Sequence, residues 1–291
     1  FSSGSEGDPK GVMLTQRNLL KNIEAGLETF PHGPGDRMMA FLPFFHSFGF
    51  MGTLWVMLLS GCGVVFHANP LEPRVIGGLI EKYKCTFLIG TPTFLHGFLR
   101  RCQPEQLASL SFVVCGAEKL PERLRLGFLE KFGTEPMEGY GTTECAPIVS
   151  VNTPDFHSPG FCSVGVRHGS IGRPLPGVSL RVLDPDTGTE TPPGTAGLLH
   201  VRGPNIMKGY LDQPEKTAKV LRDGWYETGD IASVDEDGFI TIRDRLARFS
   251  KIGGEMVPHT KVEETLHQLL GAGDQCLAIS SVPDARRGER L

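Results

Sequence analysis

The chain has no close pair of cysteines, no unbroken apolar run of membrane-spanning length and no excess of positive charge. Its seven cysteines (Cys62, Cys85, Cys102, Cys115, Cys145, Cys162, Cys276) are scattered and odd in number. That spacing argues against a zinc site or a disulfide framework and favours buried free thiols in a reducing compartment. The longest apolar stretch, Phe48 to Val65, is broken by Gly49, Gly52, Ser60, Gly61 and Gly63, which excludes a transmembrane helix there. A net charge of −4 gives no basic field to attract nucleic acid. No secretory leader is read at Phe1 and there is no initiating Met. The expectation is a cytoplasmic protein, of which this chain is a segment.

What is present is ordinary for a globular protein: 291 residues, 40% hydrophobic and 21% charged, enough for about two domains. In the first half, apolar strands alternate with helices. Thr15 caps a helix to about Glu28. Strands are expected at Met38–Leu42, Gly63–Phe66, Thr86–Ile89, Leu110–Cys115 and Glu135–Glu138. Helices are expected at Pro73–Tyr83, Pro92–Arg101 and Leu120–Phe132, with Phe44–Phe50 a loop and an apolar helix from about Met51. This alternation predicts an α/β fold, a mostly parallel sheet flanked by helices. Ligands in such folds bind beyond the carboxyl ends of the strands.

After about residue 150, Gly, Pro and Asp punctuate short alternating segments. Asp184-Pro185-Asp186-Thr187-Gly188 and Asp235-Glu236-Asp237-Gly238 read as hairpin turns. The expectation is a small antiparallel, barrel-like unit with strands at Ser179–Leu183, Ala196–Gly203, Ala232–Val234 and Phe239–Arg243. The basic stretch Asp244 to Glu255 then interrupts the strands. A helix from about His259 to Leu269 and a strand Cys276–Ser281 begin a last unit, 247–291, too short for a full core of its own.

Several segments carry candidate chemistry. Phe1 to Gly11 holds three glycines, three serines and Lys10, a composition that brings backbone N–H groups, hydroxyls and a cation to an anion. It is not the common phosphate loop, since the spacing from Gly4 to Lys10 is wrong and Gly11 stands where that loop needs Ser or Thr. The same residues also suit a flexible linker, although Val12-Met13-Leu14 runs straight on into apolar sequence. His46 lies among Phe44, Phe45, Phe48 and Phe50 and is either a core histidine or a site residue. Gly116-Ala117-Glu118 follows a strand and lets a flat ligand approach the backbone, or simply turns the chain. In Gly139-Tyr140-Gly141-Thr142-Thr143-Glu144, Tyr140 can stack on a base, Thr143 can bond a phosphate and Glu144 can hold magnesium, which prefers oxygen ligands. Asp230, within Tyr226-Glu227-Thr228-Gly229-Asp230, can accept both hydroxyls of a ribose or serve only as a turn residue.

Taken in order, these segments and the Arg245 to Gly253 loop resemble the adenylate-forming superfamily of acyl-CoA synthetases, luciferases and peptide-synthetase adenylation domains. Within it, Phe-His-Ser-Phe-Gly, Gly-Ala-Glu-Lys-Leu, Glu-Gly-Tyr-Gly-Thr-Thr-Glu-Cys-Ala-Pro and Gly-Pro-Asn-Ile-Met-Lys-Gly-Tyr-Leu look like the ligase part of bacterial acyl–acyl-carrier-protein synthetases. In that family the ligase is fused to a membrane-associated 2-acylglycerophosphoethanolamine acyltransferase.

The resemblance implies ATP and magnesium as cofactors, with a fatty acid and acyl carrier protein, or coenzyme A, as partners. It implies that Ser2, Ser3, Gly4, Ser5, Gly7 and Lys10 hold the β- and γ-phosphates. Gly116, Ala117 and Glu118 line the adenine, with Tyr140 stacked on it and Gly139, Gly141 and Thr142 in the same nucleotide loop. Thr143 meets the α-phosphate, Glu144 the magnesium, Asp230 and Arg245 the ribose, and His46 the entering carboxylate. Residues 1–246 correspond to a large adenylation domain lacking its opening part, and 247–291 to the start of a small α+β C-terminal lid. Ala247 stands where the family usually has an Asp or Lys hinge. The family's catalytic lysine is expected downstream of Leu291, so the chain alone also reads as a nucleotide-binding module without turnover. A fused enzyme would work at the cytoplasmic face of the inner membrane.

Overall fold

A computed structural model describes residues 1–2, 9–252, 255–270, 277–284 and 288–291. It divides into two compact units, Phe1–Leu180 with Val201–Tyr226, and Arg181–His200 with Glu227–Leu291.

The first unit is built on a seven-stranded sheet. Its order is Arg173–Pro174, Ile148–Val151, Pro136–Gly141, Phe112–Cys115, Phe87–Gly90, Arg37–Ala40, Gly63–Phe66. The pairs from Gly63–Phe66 across to Pro136–Gly141 are parallel, and Ile148–Val151 closes antiparallel against Pro136–Gly141. Strands buried on both faces read as continuous apolar runs, and Phe87–Gly90 is buried at every position. The helices Pro73–Tyr83, Pro92–Arg101 and Glu122–Phe132 flank them. The core holds Met39, Phe41, Ile76, Leu88, Leu95, Phe98, Val113 and Phe128. Pro at the first turn starts the first two helices, where its missing N–H costs nothing.

Three local expectations are corrected. The segment after Phe45 is helical from Ser47, as Ser47–Gly49, a π-turn Phe50–Trp55 and Val56–Ser60. The last strand of the parallel set runs on to Gly141. The helix expected from Leu120 begins at Glu122, after Pro121.

In the second half the sheet is open, not barrel-like. Its order is Ser179–Leu183, Gly197–Arg202, Trp225–Val234, Leu221–Arg222, with Ile240–Arg245 paired antiparallel on Trp225–Val234. Trp225–Val234 is one ten-residue strand. The segment around Asp230 therefore lies inside a strand, because Gly229 supplies a positive φ of 76° without breaking it. The basic stretch is also structured: Phe249–Ile252 pairs with Glu255–Pro258 before the helix His259–Leu270. The expected strand Cys276–Ser281 is not formed over its described residues 277–281, and a strand lies instead at Val282–Asp284; Cys276 lies outside the described residues. No helix among the described residues is long and apolar enough to cross a membrane.

Helix Gln16–Thr29 ties distant segments of the first unit together. Thr15 and Asn18 form a capping box, and the Asn18 amide also donates to the Pro204 and Ile206 carbonyls at 2.7 and 2.8 Å. Asn18→Ala strands both carbonyls and is expected to cost roughly 1–3 kcal/mol. Urea unfolding measures it; a midpoint unchanged at equal slope contradicts this account.

Candidate functional site

Ser2 and Lys10 form an antiparallel bridge, with reciprocal backbone bonds of 2.9 and 3.1 Å. Ser3, Gly4, Ser5 and Gly7 lie outside the described residues. Directly after the bridge, Val12–Met13 pairs antiparallel with Gly209–Tyr210, Val12 opposite Tyr210. That pairing puts the Lys10 ammonium 5.0 Å from the centre of the Tyr210 ring, a cation–π contact.

Tyr210 leads on to Glu144. Its hydroxyl donates to Glu144 Oε1 at 2.9 Å, and the buried Tyr226 phenol lies close by. Burial pushes both phenol pKa values up, so the two tyrosines stay protonated and able to donate. Glu144 is 7% exposed and makes no ion pair among the described residues. It sits in a short 3-10 turn, Thr143–Cys145, ended by Ala146 in the left-handed region, φ 65°. Its carbonyl accepts from Met207 N at 2.8 Å. Gly141 is required before this turn: a Cβ there would stand 2.2 Å from the Pro147 carbonyl oxygen.

Thr143 reaches a different element. Its hydroxyl lies 3.1 Å from the Ser47 hydroxyl, one residue beyond His46. His46 caps the Ser47 helix by accepting from Phe48 N at 3.3 Å, and partial burial lowers its pKa. Phe48 meets the adenine-turn candidates: a Cβ on Gly116 would lie 3.4 Å from both the Phe48 ring and the Gly139 carbonyl. Ala117 takes a positive φ of 70°, and Glu118, exposed, accepts from Thr93 at 2.9 Å. Tyr140 is half-buried on the same strand as Glu138 and Gly139. Of the phenylalanines around His46, Phe48 packs against the core. Phe44 meets Phe66 edge-on, and Phe45 is 89% exposed.

The first unit thus brings together Lys10 with Glu144 through Tyr210, and Thr143 with the His46 turn through Ser47. The second unit holds the other pair. Asp230 and Arg245 are direct partners across antiparallel strands, with Arg245 Nε 3.1 Å from Asp230 Oδ1. Asp230 is buried and Arg245 half-exposed. Thr228 steadies the turn, accepting from Asp230 N and donating to the Leu199 carbonyl. Asp244 accepts from Arg245 N and Thr260 N.

Sequence reasoning gave no role to Tyr210, Tyr226, Ser47 or Asp244. The signal for Tyr210 was the Lys-Gly-Tyr-Leu end of a motif already singled out.

Among the described residues no three metal-ligating side chains cluster. A lone buried carboxylate still fits magnesium, which takes one or two carboxylates and fills its other positions with phosphate oxygens and water.

The AMP-binding enzyme family matches residues 1–211. A feruloyl-CoA synthase of Amycolatopsis sp is 35% identical to this chain over 291 residues, covering 99% of the chain and 57% of that protein. A long-chain-fatty-acid–CoA ligase of Bacillus subtilis (strain 168) is 34% identical over 298 residues, covering 100% of the chain and 51% of that protein. The crystal structure of ATP-bound MatB from Rhodopseudomonas palustris matches with a TM-score of 0.86 at 31% identity, over 99% of this chain and 55% of that one. The chain spans about half the length of the curated relatives it matches.

One titration is predicted beside Tyr140. Burial raises the Glu138 pKa although Glu138 accepts from Leu120 N at 3.0 Å. The folded state then binds this proton more tightly than the unfolded chain. The group's contribution to stability is full below the ordinary glutamate pKa of about 4.3 and is lost as pH rises through the folded value. Glu138→Gln keeps the accepting oxygen. It is expected to be more stable than the parent at pH 7 and to lose that advantage at about pH 4. Urea unfolding at the two pH values decides; an equal advantage at both contradicts the assignment.

Proposed function

We propose a function from one premise: this chain belongs to the AMP-binding enzyme family. The function is ATP-dependent activation of a carboxylic acid, of long-chain fatty type, as its acyl-adenylate, followed by transfer to a thiol. The observation that carries it is the convergence on Tyr210 of the base of the Ser/Gly/Lys loop and the buried Glu144 carboxylate. It joins a polyphosphate-type loop to a carboxylate suited to a hard cation.

The roles follow from the chemistry. A carboxylate oxygen attacks the α-phosphorus, the bond to the bridging oxygen breaks, and pyrophosphate leaves with its electron pair. Negative charge spreads over the phosphoryl oxygens and must be met by fixed donors. Lys10 supplies a cation to the departing phosphates, and the Thr143 hydroxyl donates to an α-phosphate oxygen. His46, its pKa lowered, is largely neutral at pH 7, so its ring can donate to the incoming carboxylate without carrying a charge of its own. Gly116, Ala117 and Tyr140 hold the adenine, and Asp230 and Arg245 the ribose hydroxyls. Glu144 would hold magnesium, which supplies charge neutralisation on the phosphates. In the second half-reaction a thiolate attacks the acyl carbon and AMP leaves.

The thiol is coenzyme A in the reading that the names of the relatives favour. Acyl carrier protein, with a fused acyltransferase, is the second reading, favoured by the run Glu138 to Pro147 and by Gly203 to Leu211. Assay of the full-length protein with ATP, palmitate and either coenzyme A or carrier protein separates the two by which thioester forms. Each methylene buried contributes about 0.8 kcal/mol, so kcat/KM is expected to rise steeply from short to medium chains. A preference for acetate or for ferulate would defeat the fatty-acid reading. Asp230→Ala is expected to weaken ATP binding by about 1–3 kcal/mol, since it strands its polar partners; calorimetry on the folded variant tests this, and unchanged affinity removes Asp230 from the ribose site.

A further inference from the structure

We propose that Tyr210 is a positioning residue for Glu144, fixing the carboxylate through one oxygen so that the other is left for the divalent cation. The inference rests on the reading of Glu144 as the magnesium ligand. Three observations carry it. First, Glu144 is 7% exposed and has no ion-pair partner among the described residues. A carboxylate buried without countercharge is costly unless a cation arrives from outside. Second, Lys10 stands over the Tyr210 ring and makes no ion pair with Glu144 among the described residues. Third, the Tyr210 hydroxyl donates to one carboxylate oxygen, Glu144 Oε1, at 2.9 Å, and the buried Tyr226 phenol lies beside the pair.

Tyr210 is itself rigidly held. Its strand pairs with Val12–Met13, and its N–H donates to Thr217 Oγ1 at 2.9 Å. The hydroxyl position is thus set by the backbone, and the same residue supports the cation at the exit of the phosphate loop. Metal ligands commonly depend on such outer hydrogen bonds for orientation.

The test uses Tyr210→Phe, which deletes the hydroxyl and keeps the ring, in the full-length protein. Mn2+ binding is followed by electron paramagnetic resonance in the presence of a non-hydrolysable ATP analogue. Binding of the same analogue in EDTA is measured alongside. Tyr210→Phe is expected to weaken Mn2+ about 10-fold while leaving metal-free nucleotide affinity within about two-fold, and Tyr226→Phe to act in the same direction more weakly. Unchanged Mn2+ affinity in Tyr210→Phe overturns the proposal, and so does an equal loss with and without metal. If Tyr210→Phe does not fold, Tyr226→Phe decides alone, and parental Mn2+ affinity in it counts against the proposal. Glu144→Gln separates the two levels: if it leaves Mn2+ binding intact, the metal reading fails and this inference with it. If it abolishes Mn2+ binding while both tyrosine variants bind normally, only the positioning role fails.

Discussion

Two residues of backbone pairing, Val12–Met13 against Gly209–Tyr210, hold the candidate site of the first unit together. The pairing brings the exit of the Ser/Gly/Lys loop to a segment far along the chain. Asn18 fastens the residues just before that segment, and Met207 N bonds the Glu144 carbonyl. Lys10, Tyr210 and Glu144 are therefore neighbours through main-chain geometry, and their side chains need little further ordering to act together. Pre-set geometry of this kind is what a site for a highly charged ligand requires, because reorganisation during reaction is costly.

The helices and parallel strands of the first half were legible because local rules and tertiary demands coincide there. Pro73 and Pro92 mark helix starts, Thr15 and Asn18 make a complete capping box, and Phe87–Gly90 is apolar because both faces are covered. Misreadings fell where one residue served two purposes. Gly49 looked like a loop residue, yet a Cβ on it would stand 2.4 Å from the Pro43 carbonyl, as one on Gly52, expected in the helix, would stand 2.5 Å from Ile89. Those glycines allow close packing inside a helix. Gly229 likewise suggested a break and instead bends a continuous strand.

The site divides in the same way. Tyr140, Thr143 and Glu144 stood out because an aromatic ring, a hydroxyl and a carboxylate together exceed what a plain turn needs, while Asp230 alone also suited a turn. The Asp230–Arg245 ion pair needed the strand register, which composition does not give. Tyr210, although it ends a motif singled out in the sequence, and Tyr226 were given no role because a tyrosine at a strand position is ordinary core sequence. Only the fold shows that the Tyr210 hydroxyl ends on a carboxylate.

The interior thiols have a consequence for chemistry in the test tube. Cys85 and Cys102 have their pKa values pushed by burial to about 11, and Cys115 is raised as well. At neutral pH almost none of their sulfur is nucleophilic thiolate. Cys162, on an exposed hairpin, is open to solvent. An alkylating reagent will therefore mark Cys162 promptly and reach the other three only when the parallel sheet opens. Those buried sulfurs are built-in clocks, timing how often the first unit of the molecule breathes.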